Sequence, residues 1–160
     1  PCPCGHFGSD LECNCTPPQI QRYLGRISGP LLDRMDLHVE VPRVKLDQLQ
    51  EHSGGENSAS LREKVIRARD IQQRRFARSK IKLNSQMRPA DVRKYCSLDD
   101  TSQDLLRSVF DRLHLSARAY DRVLKIARTI ADLEGAERIK TAHLAEALQY
   151  RSLDRKYWNS

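Results

Sequence analysis

The chain has 160 residues, which is enough for one domain or for a small domain with a subdomain. Its 28 lysines and arginines outnumber its 21 acidic residues, which gives a net charge of +7. Hydrophobic residues make up 39% of the sequence, and no run approaches the roughly 18–20 apolar residues that a membrane span needs. Membrane proteins, small secreted disulfide-rich proteins and disordered tails are therefore poor descriptions of it. The sequence begins inside a cysteine motif, without a methionine or a signal-peptide pattern, so we expect a piece of a longer protein from the cytoplasm.

The first eighteen residues predict a loop that holds two close cysteine pairs. Cys2 and Cys4 form one pair, Cys13 and Cys15 form the other, and eight residues separate them. Four thiolates suit a tetrahedral Zn²⁺ ion, although the usual spacing within a pair is C-x₂₋₄-C, and His6 can replace one thiol. The alternative is four reduced or paired cysteines in a mobile loop. We expect Zn²⁺ at Cys2, Cys4, Cys13 and Cys15.

A short helix and a strand are predicted next. Thr16 followed by two prolines is a helix start signal, which places a helix at about residues 19–24. Apolar and polar residues alternate over 37–41 until Pro42, a pattern typical of a strand. A single strand needs a partner, and we expect that partner to lie outside this sequence.

After a polar stretch containing Ser53-Gly54-Gly55, the remaining sequence predicts a bundle of four or five helices. A basic helix of about 20 residues follows Ser60, and a short helix runs from Pro89 to Tyr95. Capping-box spacing from Asp100 to Gln103 predicts the start of the next helix. The expected apolar face of the basic helix contains Leu61, Val65, Ala68, Ile71 and Phe76.

The strongest helical pattern lies between Ser116, a predicted N-cap, and Gly135, a predicted C-terminal stop. A final helix begins at Thr141. The apolar stripes of these two helices contain Tyr120, Val123, Leu124, Ala127, Ile130 and Ala131, and then Leu144, Ala147 and Leu148. The predicted fold class is therefore mainly α.

Positive charge is concentrated in one segment. Residues 61–96 contain twelve basic and three acidic residues, a net charge of +9, whereas the rest of the chain has 16 basic and 18 acidic residues. Such a segment indicates nucleic acid as a partner, and the alternative is a solvated helix face. Arg67, Arg74 and Arg78 are the candidate contacts to nucleic acid or to a neighbouring subunit.

Two further arginines have notable positions. Arg34 directly precedes the predicted strand, and Arg118 lies in the first turn of the strongest helix. The sequence contains no G-x-x-x-x-G-K-[ST] loop that would cradle nucleotide phosphates. On spacing alone, both arginines fit surface ion pairs as well as a functional role. Cys96 stands alone and fits a small core residue.

Several stretches resemble the magnesium-chelatase-like AAA+ ATPases of the ComM (YifB) family, which are related to the magnesium-chelatase ATPase subunit and to MCM helicases. The family's arginine-finger region and following strand are similar to residues 27–41, which read I-S-G-P-L-L-D-R-M-D-L-H-V-E-V. L-S-A-R-A-Y at 115–120, continuing to 133, resembles the second-sensor helix. A-E-A-L-Q-Y-R at 145–151 resembles the C-terminal signature, and P-C-P-C-G at 1–5 resembles the segment after the first sensor.

The resemblance implies roles for two residues and a division of the chain. Arg34 matches the arginine finger, which acts on the ATP of a neighbouring subunit, and Arg118 matches the second sensor. Walker A, Walker B and the first sensor would lie outside this sequence, so the chain alone should be inactive. The implied domains are the end of the AAA+ core (1–42), a linker (43–58), a helical lid (59–155) and a tail (156–160).

For the whole protein, the resemblance implies an ATP- and Mg²⁺-dependent homo-hexamer. It would be a helicase that drives branch migration of DNA in natural transformation or recombination, with branched or single-stranded DNA as its partner. Two alternatives stay open. One is a zinc-stabilised helical DNA-binding module without ATPase activity, and the other is a magnesium-chelatase ATPase subunit.

Overall fold

The structure is a computed structural model that describes residues 2–41, 44, 55–113 and 115–151. Within these ranges it contains seven α-helices and no strand, which confirms the mainly α class. Contacts divide the chain into a first unit, Pro1–Ser53 with Arg151–Ser160, and a second unit, Gly54–Tyr150. The helices are α1 (Pro17–Leu24), α2 (Gly29–Leu32), α3 (Ser58–Arg75), α4 (Pro89–Tyr95), α5 (Asp100–Leu113), α6 (Ala117–Glu134) and α7 (Thr141–Gln149).

The first unit contains α1, which the sequence predicted, and α2, which it did not. The side-chain oxygen of Gln19 accepts the backbone N–H of Thr16 at 2.9 Å, so the first turn of α1 is capped. The short helix α2 has Pro30 in its first turn. Because α2 is only four residues long, it offers no apolar periodicity from which it could be predicted.

The strand predicted at 37–41 is wrong for this structure, which assigns no strand to those residues. The side chains of Leu37, Val39 and Val41 are 53%, 63% and 80% exposed. A strand is stabilised by backbone hydrogen bonds to a neighbouring strand, and the described residues provide no such neighbour. The alternating pattern therefore has no sheet to pack against here.

The second unit is a helical bundle in which α6 packs against α3, α4 and α7, and α5 packs against α7. Two-thirds of the predicted apolar stripe of α6 lies in the core, whereas Tyr120 is 41% exposed and Ile130 is half-buried. The buried core contains Phe76, Met87, Val92, Cys96, Leu106, Val109, Val123, Leu124, Ala127, Ala131, Ile139, Leu144, Ala147 and Leu148.

The ends of α6 are determined by the residues that the sequence analysis identified. Ser116 Oγ accepts the backbone N–H of Ala119 at 3.1 Å, and Gly135 ends the helix in the left-handed conformation with φ of 79°. The predicted cap of α5 is wrong by one residue. Asp99, not Asp100, accepts the backbone N–H of Ser102, at 2.8 Å.

The apolar face predicted for α3 is only partly buried. Ala68 and Phe76 are buried, but Leu61 and Val65 are 49% and 46% exposed. Gln72 is the other buried residue of α3, and its side-chain oxygen accepts the backbone N–H of Asn84. The first half of α3 therefore keeps its apolar side chains at the surface of the second unit.

The predicted linker (43–58) and tail (156–160) lie mostly or wholly outside the described residues. Among the helices that the structure describes, none is long and apolar enough to cross a membrane.

Candidate functional site

The four cysteines of the N-terminal loop converge on one point. Their sulfur atoms all lie within 4.8 Å of one another. Cys2 Sγ is 3.3 Å from Cys4 Sγ and 3.7 Å from Cys13 Sγ, and the sulfurs of Cys4 and Cys13 are 3.6 Å apart. Around a tetrahedral Zn²⁺ ion with Zn–S bonds of about 2.3 Å, sulfurs are about 3.8 Å apart. The donor set and its spacing therefore fit Zn²⁺.

Local backbone geometry brings the thiols together. Gly5 has φ of 81°, a conformation that side chains disfavour, and its N–H donates to the carbonyl oxygen of Cys2 at 3.1 Å. This turn directs the backbone N–H of Phe7 to Cys2 Sγ at 3.3 Å. His6, the possible substitute ligand, instead has its Nδ1 3.2 Å from the carbonyl oxygen of Glu12. The structure therefore favours four thiols over three thiols and an imidazole.

The thiols ionise unequally because they share one small site. Burial opposes the ionisation of Cys2, but hydrogen bonds from the Phe7 amide and from the other three thiols lower the pKa of Cys2 to about 6. A backbone hydrogen bond from Cys4 favours the thiolate of Cys15, but burial and the negative charge of Cys2 raise the pKa of Cys15 to about 12. Similar causes raise the pKa of Cys13. A cation would relieve this repulsion, which supports a metal site.

Arg34 lies in the turn that follows α2, and its side chain is exposed. Its Nη1 donates to the carbonyl oxygen of Pro30 at 3.0 Å. A guanidinium group has five N–H donors, so this hydrogen bond leaves others with which to bind an anion. The turn therefore presents a planar cation at the surface of the first unit.

One residue that the sequence analysis did not assign to a site holds this turn. Arg151 is 1% exposed and its Nη1 donates to the carbonyl oxygen of Met35 at 2.5 Å. Its Nη2 lies 3.6 Å from a carboxylate oxygen of Asp33. Arg151 had appeared only as the last residue of the C-terminal signature, and nothing local in the sequence predicts partners 116 residues away.

Arg118 occupies the second position of α6 and its side chain is exposed. The first turn of a helix has backbone N–H groups that point outward and a partial positive charge. An arginine at this position adds a full positive charge to that end. Arg118 and Arg34 belong to different units of the chain.

The candidate contacts of the basic segment are exposed. Arg67 and Arg74 lie on α3, where the side chain of Arg74 donates to the carbonyl oxygen of Asp70, and Arg78 follows the helix. Arg75 differs from its neighbour Arg74, because it points into the second unit and forms an ion pair with Asp132. Sequence alone does not distinguish the two adjacent arginines.

Asp132 is the centre of a buried polar network that the sequence analysis missed. Its carboxylate accepts hydrogen bonds from Arg75, from Arg128 Nε at 3.1 Å and from Asn84 Nδ2 at 2.8 Å. Burial lowers the pKa of Arg128 despite the nearby Asp132 carboxylate. The i, i+4 spacing of Arg128 and Asp132 on α6 was the one signal available, because such pairs face each other on a helix.

Comparisons with known proteins match the chain over nearly its whole length. The model of "Magnesium chelatase, subunit ChlI" matches residues 1–49, and that of its C-terminal part matches residues 55–151. The chain is 44% identical over 97% of its length to competence protein ComM of Haemophilus influenzae. It is 44% and 40% identical over the same share to YifB of Salmonella typhimurium and of Escherichia coli. The chain spans about 30% of the length of these relatives.

Proposed function

This chain belongs to the magnesium chelatase subunit ChlI family, and we propose that it forms part of a ring-forming AAA+ ATPase that drives branch migration of DNA. The similarity to a competence protein supports a role in the uptake or recombination of DNA in the cytoplasm. The chain supplies two arginines to this activity. The phosphate-binding loop comes from sequence outside it, since these 160 residues contain no Walker A pattern.

The observation that carries the proposal is the exposed guanidinium of Arg34 on an anchored turn. In a homo-hexamer, Arg34 of one subunit reaches the ATP bound by the next. Its planar cation stabilises the negative charge that develops on the γ-phosphoryl group during transfer. When bound, Mg²⁺ would supply further positive charge to the same phosphates. Arg34 does not bind the ATP of its own subunit, so its loss affects turnover more than nucleotide binding.

Arg118 acts as the second sensor. Its side chain and the N-terminal end of α6 together form a positive site for phosphate oxygens. Loss of the γ-phosphate removes its anionic partner. Arg118 then reports the nucleotide state, which couples hydrolysis to movement of DNA.

The four cysteines bind structural Zn²⁺ that stabilises a loop with little apolar content. We expect one Zn²⁺ per chain by elemental analysis, and a Co²⁺-substituted protein should show thiolate-to-metal charge-transfer absorption. Cys13→Ser should abolish both signals, whereas Cys96→Ala, which removes a core thiol outside the cluster, should change neither. A folded chain that binds neither metal would refute the zinc site.

Arg67, Arg74 and Arg78 contact DNA or a neighbouring subunit. Charge reversal of all three in the full-length protein should weaken DNA affinity or hexamer formation. For DNA contacts, the loss should diminish at high salt, because phosphate contacts release counterions. Unchanged affinity and unchanged assembly would show that these arginines are only a solvated face.

The decisive experiment is the ATPase activity of the full-length protein, with and without branched DNA. Arg34→Ala should lower kcat by about 10³-fold or more while ATP still binds, because arginine fingers contribute factors of that size. Arg22→Ala is the matched control, since Arg22 is an exposed arginine of α1 in the same unit. Equal activity of Arg34→Ala and wild type would refute the finger.

A second candidate is a zinc-stabilised DNA-binding module without ATPase activity. The convergent thiols and the exposed basic residues of α3 favour it. It predicts DNA binding by the full-length protein with no ATP turnover even in the wild type. The family description favours a third candidate, a magnesium-chelatase ATPase subunit, which companion chelatase subunits encoded in the same genome would support.

A further inference from the structure

We infer that Arg151 is a positioning residue for Arg34: it holds both neighbours of Arg34 and so fixes the direction in which that side chain projects. The inference rests on the proposed role of Arg34 as an arginine finger. Arg151 touches neither nucleotide nor DNA in this proposal, and acts only through the turn.

Arg151 contacts the two residues that flank Arg34 in the sequence. Its guanidinium donates to the carbonyl oxygen of Met35, the residue after Arg34, at 2.5 Å. The same group lies 3.6 Å from the carboxylate of Asp33, the residue before Arg34. Arginine is almost never fully buried unless it is paired, yet Arg151 is 1% exposed. The buried guanidinium of Arg151 therefore fixes the residues on both sides of the exposed Arg34.

The turn depends on such support because its own helix is short. The four-residue α2 ends one residue before Asp33, and so short a helix has little stability by itself. Within the turn, the Met35 N–H donates to the carbonyl oxygen of Leu32 at 2.9 Å. His38 Nε2 lies 3.3 Å from that same carbonyl oxygen. These bonds tie the turn to the last residue of α2, and Arg151 holds Asp33 and Met35 on either side of Arg34.

A fixed turn matters for the proposed chemistry. A group that stabilises charge in a transition state is effective when it is already oriented, so that no reorganisation is needed during the reaction. A displacement of about 1 Å can cost about 10²-fold in rate. A surface arginine on an unsupported turn would not meet that requirement, whereas a turn held at both flanks by a buried guanidinium would.

The test compares Arg34→Ala, Arg151→Lys and the double variant in the full-length protein, by kcat and KM for ATP and by thermal unfolding. Lysine keeps the positive charge but cannot bind Met35 and Asp33 with one planar group. We expect Arg151→Lys to lower kcat about 10- to 100-fold with little change in KM for ATP. Added to Arg34→Ala, it should cause no further loss, because it acts only through Arg34.

A second variant covers the case in which Arg151→Lys fails to fold. Asp33→Asn removes the ion pair at a half-buried position and leaves Arg151 in place, and we expect it to lower kcat in the same manner. Full activity of whichever variant folds would overturn the role of Arg151, as would losses that multiply in the double variant. Unchanged kcat in Arg34→Ala would instead overturn the finger, and the inference with it. The two failures are therefore distinguishable.

Discussion

Replacing Asp132 by alanine should destabilise the second unit more than any surface substitution. The Asp132 carboxylate is 1% exposed and accepts hydrogen bonds from two arginines and an asparagine. In Asp132→Ala, Arg128 remains 97% buried but loses the Asp132 carboxylate as its partner. Removing one member of a buried ion pair typically costs about 3–5 kcal/mol, because the remaining charge stays desolvated.

Two features place the expected cost near the lower end of that range. The side chain of Arg75 is 14% exposed and can regain water when its partner is removed. Arg128 also keeps hydrogen bonds to the carbonyl oxygens of Ala136 and Glu137. We therefore expect Asp132→Ala to lower the free energy of unfolding by about 3 kcal/mol.

The assay is urea denaturation of the 160-residue chain, followed by far-ultraviolet circular dichroism. Asp104→Ala is the matched control, because Asp104 is an exposed aspartate of α5, and its effect should stay within about 0.5 kcal/mol. The cost of Asp132→Asn should lie between those of Asp132→Ala and Asp104→Ala, since asparagine keeps one acceptor oxygen without the charge. A cost below about 1 kcal/mol for Asp132→Ala would refute the argument that the network is tightly coupled.

Two further predictions concern the end of α6. Gly135→Ala should lower the free energy of unfolding by about 1–2 kcal/mol in the same assay, because φ is 79° at this position. The added Cβ would have no atom within 4 Å, so the cost comes from backbone strain alone. No loss of stability would contradict the strain argument. Hydrogen bonds from His143 and Lys140 lower the pKa of Glu134 to about 2, from an ordinary value of 4.5. Glu134 therefore adds stability above about pH 4.5 that is lost as the pH falls towards 2. Glu134→Gln should remove that part of the acid dependence of the urea midpoint, and an unchanged pH profile would exclude the contribution.

Local sequence was sufficient for the helices of the second unit. Ser116 and Gly135 set the ends of α6, and Thr141 begins α7, as predicted. Each of these signals acts within about four residues, because helix hydrogen bonds and caps join near neighbours in the chain. The same reasoning explains why the spacing of the four cysteines predicted a cluster of thiols, whose sulfurs the structure brings together within one short loop.

Motif resemblance determined the family, which the comparisons confirm. It also named Arg34 and Arg118, whose roles remain predictions. The structure adds that both side chains are exposed, that of Arg34 in the turn after α2 and that of Arg118 in the first helical turn of α6. In the proposed function, whether either residue meets a phosphate depends on groups remote from it, and not on the residues beside it in the chain.

The sequence by itself determined the helical class, the main helix boundaries and the four-thiol set, all of which depend on neighbours in the chain. Only the tertiary structure decided which arginines point inward. Arg75 pairs with a residue 57 positions away, and Arg151 with one 116 positions away. The alternating residues of 37–41 likewise did not form a strand, because a strand depends on a distant partner. Burying a charge or pairing a strand is favourable only when a remote group satisfies it, and local sequence does not specify that group.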